Sequence, residues 1–199
     1  MSAQSRAVPG WAVASAALAP VVLIGGWTLA ASRQPDGYSP VSESISALAA
    51  HGATDRWLMT TGLAALGACH VVTALGLRPA RVPGRWLLAT GGVGTLIVAG
   101  APQPADGSAP LHVAAAGVGF LTLAVWPLFA ATSSGPAVLR PRCGAVATVL
   151  LLALLGWLGA ELGDGVLLGL SERMLAGAQA LWPLVVVLAL RAGAARMAR

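Results

Sequence analysis

The chain has 199 residues, 57% of them hydrophobic and 10% charged, and a formal net charge of +5 at pH 7; its mean hydropathy is +0.78. That balance excludes an ordinary soluble domain and points to a membrane protein. It does not point to nucleic acid, because the arginines are scattered between apolar runs and form no stripe with interleaved aromatics.

Apolar runs recur at approximately residues 10–31, 57–77, 86–101, 110–132, 143–160 and 174–190. Most approach the ~20 residues needed to cross a ~30 Å hydrocarbon core. The expected fold class is therefore all-α, a polytopic integral membrane helical bundle of six transmembrane helices, forming a single domain over residues 1–199. The first run follows Arg6 and exceeds the roughly 7–15 apolar residues of a signal peptide, so it reads as an uncleaved span. The third is short and is expected to continue through Arg85 or Pro102.

Charges sort by loop. Arg6, Arg78, Arg81, Arg85, Arg140, Arg142, Arg191, Arg196 and Arg199 fall at the termini and in the second and fourth loops. By the positive-inside rule these face the cytoplasm, which places both termini inside. Arg33, Arg56 and Arg173 remain outside, together with all the acids: Asp36, Glu43, Asp55, Asp106, Glu161, Asp164 and Glu172. The composition, with Arg as the sole basic residue type besides His, fits a GC-rich bacterial genome, so the expected location is a bacterial plasma membrane. Cys69 and Cys143 fall on the cytoplasmic half, where thiols stay reduced.

The first outer loop contains "YSPVSESISALAAHGATDRW", residues 38–57. Ile45, Leu48, Ala49 and Ala50 beside Ser42, Ser44 and Ser46 suggest a short amphipathic turn lying on the bundle, with the hydroxyls and Glu43 turned inward or toward lipid headgroups. Asp55 is placed to cap the second span. His70 sits deeper in that span, where a buried polar side chain is a candidate functional group or a cross-helix hydrogen bonder. The third outer loop, "APQPADGSAPLH", ends on His112 in the first turn of the fourth span.

The fourth and sixth spans carry "VWPLF" and "LWPLV". Proline removes one backbone bond and frees the carbonyl four residues earlier, here Leu123 and Gln179, so both helices are expected to bend. Gln179 could add a polar patch within the bundle. Gly159 and Gly163 have the small-residue spacing used in helix packing.

At the mouth of the sixth span, "LSERM", Ser171 or Glu172 suits a helix N-terminus. Arg173 does not, since a cation in a first turn opposes the helix dipole. Adjacent residues point about 100° apart on a helix, so Glu172 is a poor partner for it. The expectation is a distant acid, Glu43, Asp106 or Asp55, tying the first outer loop onto the last helix.

Taken in order, "VSESISALAA", "RW", "APQPADGSAPLH", "GLSERM" and "LWPL" resemble the domain of unknown function 998 family of bacterial and archaeal membrane proteins. The resemblance spans nearly the whole chain and implies six spans, with Ser46, His112, Glu172 and Arg173 at recurring polar positions. It also implies an acid after the serine; here that place is Ala47, and Glu43 is the acid that could substitute. The "SISAL" segment is further similar to a short motif of eukaryotic membrane proteins linked to lipid distribution, which implies a lipid-related role.

Three functions fit these residues. The first is a non-catalytic outward-facing pocket in which Ser46, His112, Glu172, Arg173 and Glu43 bind a lipid headgroup or other amphiphile, for sensing, transport or envelope maintenance. It needs no cofactor. The second is a membrane-embedded hydrolase in which His51, His112 and an acid hold zinc, although H-E-x-x-H and G-x-S-x-G are absent. The third is a structural or accessory membrane subunit.

Overall fold

In lipid a backbone must satisfy its own hydrogen bonds, and an uncharged run of sufficient length does so only as a helix. The computed structural model, described over residues 8–105, 109–133, 136–163 and 165–197, forms six such helices. They are α1 (Gly10–Ala31), α2 (Trp57–Gly76), α3 (Val82–Gly100), α4 (Pro110–Ala130), α5 (Pro141–Glu161) and α6 (Leu168–Met197). All six are long and apolar enough to cross a membrane. Arg6, Asp106, Asp164 and Arg199, used above to sort charge, lie outside the described residues.

Proline sets several starting points. α3, α4 and α5 each carry Pro at the first or second helical position, where its missing N–H costs nothing and its fixed φ favours the helix. α3 begins at Val82, earlier than the apolar run suggested, so Arg85 lies inside it. The Arg85 guanidinium reaches back to the carbonyls of Ala74 (2.8 Å) and Leu75 (2.9 Å). It satisfies two orphan acceptors in the last turn of α2.

The largest difference from the hydropathy reading is α6, which starts at Leu168 rather than 174 and runs for 30 residues. Ser171 therefore lies past the first turn, and its hydroxyl donates to the Leu168 carbonyl (2.9 Å) instead of capping free amides. Asp55 does not cap α2 either: the cap position is Arg56, with no side-chain hydrogen bond, and Asp55 holds a left-handed φ of 49°. Pro127 and Pro183 both sit within continuous helices.

Each helix packs on its neighbours in sequence, and α6 closes back onto α1. Tight approach comes from glycines other than those singled out by spacing. A Cβ on Gly67 would lie 2.6 Å from the Gly92 carbonyl oxygen, and one on Gly92 the same distance from that of Gly67, so α2 and α3 meet backbone to backbone. Gly159 and Gly163 have open space at their Cβ positions. One apolar cluster, around Leu77, Leu88, Trp126 and Val187, fills the end bearing residues 8 and 197. A second, around Leu23, Leu48, Met59 and Leu66, fills the opposite end under the first long loop.

Candidate functional site

The segment joining α1 to α2 folds over the open end of the helix ring. A single 3-10 turn, Ser46–Ala49, buries Ile45, Leu48 and Ala49, which are 3%, 1% and 2% exposed. Both ionisable residues of the "SER" triplet on α6 hold this segment. The Glu172 carboxylate, buried, accepts the Ile45 N–H at 2.6 Å. Arg173 Nη1 donates to the carbonyls of Pro40 (2.8 Å), Glu43 (2.8 Å) and Gly169 (2.9 Å), and its Nη2 donates to the Tyr38 hydroxyl (2.6 Å). Its guanidinium carbon also stands 5.9 Å from the Trp27 ring centroid, within cation–π range. A backbone bond from Leu170 to the Val41 carbonyl (2.9 Å) completes the seam.

Arg173 is thus tied to the first loop, as its charge implied, and its hydrogen-bond acceptors among the described residues are carbonyls and a phenol, not the Glu43 or Asp55 carboxylate; the expected alternative Asp106 lies outside those residues. The Glu43 carboxylate turns back on its own segment, accepting the Ser39 N–H at 3.1 Å. A planar fork with five donors suits several scattered acceptors better than one acid. Burial pushes the Tyr38 phenol above its ordinary pKa; the neighbouring Arg173 charge and hydrogen bond oppose that shift without cancelling it.

His112, 2% exposed, stands in the first turn of α4 and faces the same segment. Its Nδ1 lies 2.8 Å from the Ala101 carbonyl oxygen and its Nε2 lies 3.0 Å from Ser46 Oγ. A carbonyl can only accept, so Nδ1 bears the proton. In the neutral ring Nε2 then presents its lone pair to the Ser46 hydroxyl, which donates. The loop joining α3 to α4 is anchored alongside: the His51 N–H donates to the Gln103 carbonyl (2.8 Å), and Gln103 Oε1 accepts the Ala109 N–H (2.8 Å).

Two cavities flank Ser46. Away from the helices is a polar basin of about 420 Å³, bordered by Tyr38, Glu43, Ser44, Ser46, His51 and Gln103, among others. Toward the helices is a narrow slot of about 50 Å³ bordered by α1, α2, α3, α4 and α6. Leu23, Leu63, Leu66, Val98 and Phe120 make its walls largely apolar, while Ser46, Glu172, His70 and Gln179 add polar groups. Gln179 Nε2 donates to the Phe120 carbonyl (2.8 Å), but Gln179 Oε1 and both His70 ring nitrogens are buried without a partner. Buried polar atoms seldom stay unpaired, and both residues that carry these line the slot.

Of the residues singled out from sequence, Ser46 and His112 touch each other, Glu172 bonds the residue preceding Ser46, and Arg173 braces the segment from behind. Glu43 and His51 border the basin. Tyr38, Gly169 and the Ala101 carbonyl also belong to the site and carried no distinguishing pattern. For zinc, both His112 nitrogens are already engaged, and among the described residues no group of three or more His, Cys, Asp or Glu side chains could hold a metal ion.

Compared with known families, the chain matches over residues 11–189 the model described as "Protein of unknown function (DUF998)". No curated protein and no solved structure matches it.

Proposed function

The chain belongs to the DUF998 family of proteins of unknown function, and we propose that it binds one membrane lipid or related amphiphile, headgroup outward and chain inward. The observation that carries this reading is the position of Ser46, on the wall of both a polar basin and an apolar slot. A molecule with a polar head and an apolar tail is the ligand class matching both chambers.

In this reading Tyr38, Glu43, Ser44 and His51 offer donors and acceptors to the headgroup. Ser46 and His112 stand at the boundary, Glu172 and Arg173 fix the segment that forms it, and Leu63, Leu66, Val98 and Phe120 receive the chain. The arginine distribution supports both termini on the cytoplasmic side of a bacterial plasma membrane, so that the basin opens outward. Recognition, transport or upkeep of envelope lipids follows from such a site.

Native mass spectrometry of protein released from membranes in mild detergent tests the proposal. Wild type should carry a bound amphiphile, and Ala176→Phe, which obstructs the slot, should lose it, with a melting transition still present to show that the variant is folded. Adduct-free wild type, or an adduct equally retained by Ala176→Phe, would overturn it.

A further inference from the structure

We propose that Ser46 is an acyl-accepting nucleophile with His112 as its general base, and that the substrate class is the carboxylic ester of a membrane amphiphile. This rests on the amphiphile reading above and names its chemistry. Three observations carry it. Ser46 is half-buried and borders both cavities, so it stands where a ligand can approach from either side. The base behind it is 2% exposed, and the Ala101 carbonyl at 2.8 Å fixes its tautomer with Nε2 toward Ser46 at 3.0 Å. That is the nucleophile, base and orienting-acceptor order of serine acyl transfer, with a backbone carbonyl in the third place.

The polarity boundary selects the bond. In an ester-linked amphiphile lying head-out and tail-in, the ester carbonyl joins the polar and apolar parts and falls beside Ser46. The Ser46 Oγ forms a bond to the carbonyl carbon as its proton passes to His112 Nε2. Collapse of the tetrahedral adduct breaks the carbon–oxygen bond to the leaving alcohol, which takes that proton and departs on the headgroup side. Water, or a second alcohol in a transfer reaction, then attacks the acyl-Ser46 carbon and gives its proton to Nε2. Release of the carboxylic acid or new ester returns the proton to Oγ. No oxidant, metal or further co-reactant enters the balance.

A serine that served only as a hydrogen-bond partner would not react with an electrophile, and that separates the two roles. Full-length protein in lipid nanodiscs is incubated with a long-chain alkyl fluorophosphonate, whose phosphorus bonds to an activated serine with loss of fluoride, and is read by intact mass and peptide mapping. The expected result is one phosphonyl group on Ser46, absent in Ser46→Ala and formed at least about a hundredfold more slowly in His112→Gln, the scale of general-base assistance. Melting temperature and bound amphiphile are followed in each variant, so that an unfolded variant is recognised. Wild type that retains its amphiphile but leaves Ser46 unlabelled would overturn the nucleophile while leaving the binding reading intact. Labelling at an unchanged rate in folded His112→Gln would overturn the role of the base.

Discussion

Gly169 on α6 and Glu43 in the first loop are in backbone contact: a Cβ at 169 would collide with the Glu43 carbonyl oxygen and crowd that of Pro40. The same two carbonyls receive Arg173 Nη1. A small residue therefore lets the segment come near enough for the guanidinium one turn later to hold it. Gly169→Ala should cost about 1–3 kcal/mol, as overpacking does, outweighing the gain of up to ~1 kcal/mol that alanine brings to a helix. Gly177→Ala on the same helix, where a Cβ makes only an ordinary 3.7 Å contact with Trp27, should be neutral or stabilising. Thermal melts of the two variants in one detergent check the opposite signs, and equal stability would contradict the contact.

Arg173 should be replaceable by neither alanine nor lysine. Its acceptors point from three backbone carbonyls and a phenol, and a lysine ammonium cannot span them as a fork does. Hydrogen bonds to a charged donor contribute about 1.5–3 kcal/mol, so Arg173→Ala should fall in that range and Arg173→Lys should recover only a minor part. Because the acceptors among the described residues are uncharged, the loss should be nearly the same at low and high salt. A loss that shrinks steeply with salt would indicate a screened ion pair.

Glu172 should tolerate amidation. Glutamine keeps an oxygen for the Ile45 N–H, whereas alanine leaves that buried donor without the partner it has at 2.6 Å. The expected order is wild type close to Glu172→Gln, with Glu172→Ala lower by about 1–3 kcal/mol, the cost of an unsatisfied buried group. Denaturation of the three proteins side by side checks it. Equal damage from both substitutions would assign the stabilisation to the negative charge.

Tyr38 is the single tyrosine of the chain, so tyrosinate absorbance reports it alone. Burial raises its pKa above the ordinary value of about 10 despite Arg173. A raised value means that the folded state holds the proton more tightly. Its contribution to stability is complete below the unfolded pKa and is lost as pH rises through the folded one. A spectrophotometric titration should place the folded midpoint above that of the denatured chain; coincident midpoints would contradict the burial of the phenol.

Much of this architecture is legible in the residues because lipid permits so few solutions. Uncharged runs of spanning length had to be helices, and α1, α2 and α4 lie within a residue or two of their hydropathy limits. The start of α6 was not legible. "GVLLGL" is too short and glycine-broken to read as part of a span, and its helix is set by contact with the first loop. The misplaced charge of Arg173 correctly pointed to that loop, but its acceptors among the described residues are the Tyr38 hydroxyl and backbone carbonyls, and carbonyls are possessed by every residue and marked by no sequence pattern. Ser46 and His112 were each conspicuous as polar residues at span ends. Their hydrogen bond joins positions 66 residues apart, and only the folding of two loops over the same opening brings them together.

The central claim is that an amphiphile's chain enters the slot between the helices instead of merely coating the outside. Photocrosslinking in nanodiscs doped with a phospholipid bearing a diazirine in its acyl chain tests this directly, because Phe120 lines the slot while its neighbour Leu121 is exposed on the outer surface. The account predicts adducts on Phe120 and Ala176 that are lost on competition with the extracted native lipid, against a constant background on Leu121, Val149 and Leu150. Adducts confined to those outward residues, with none in the slot, would contradict it.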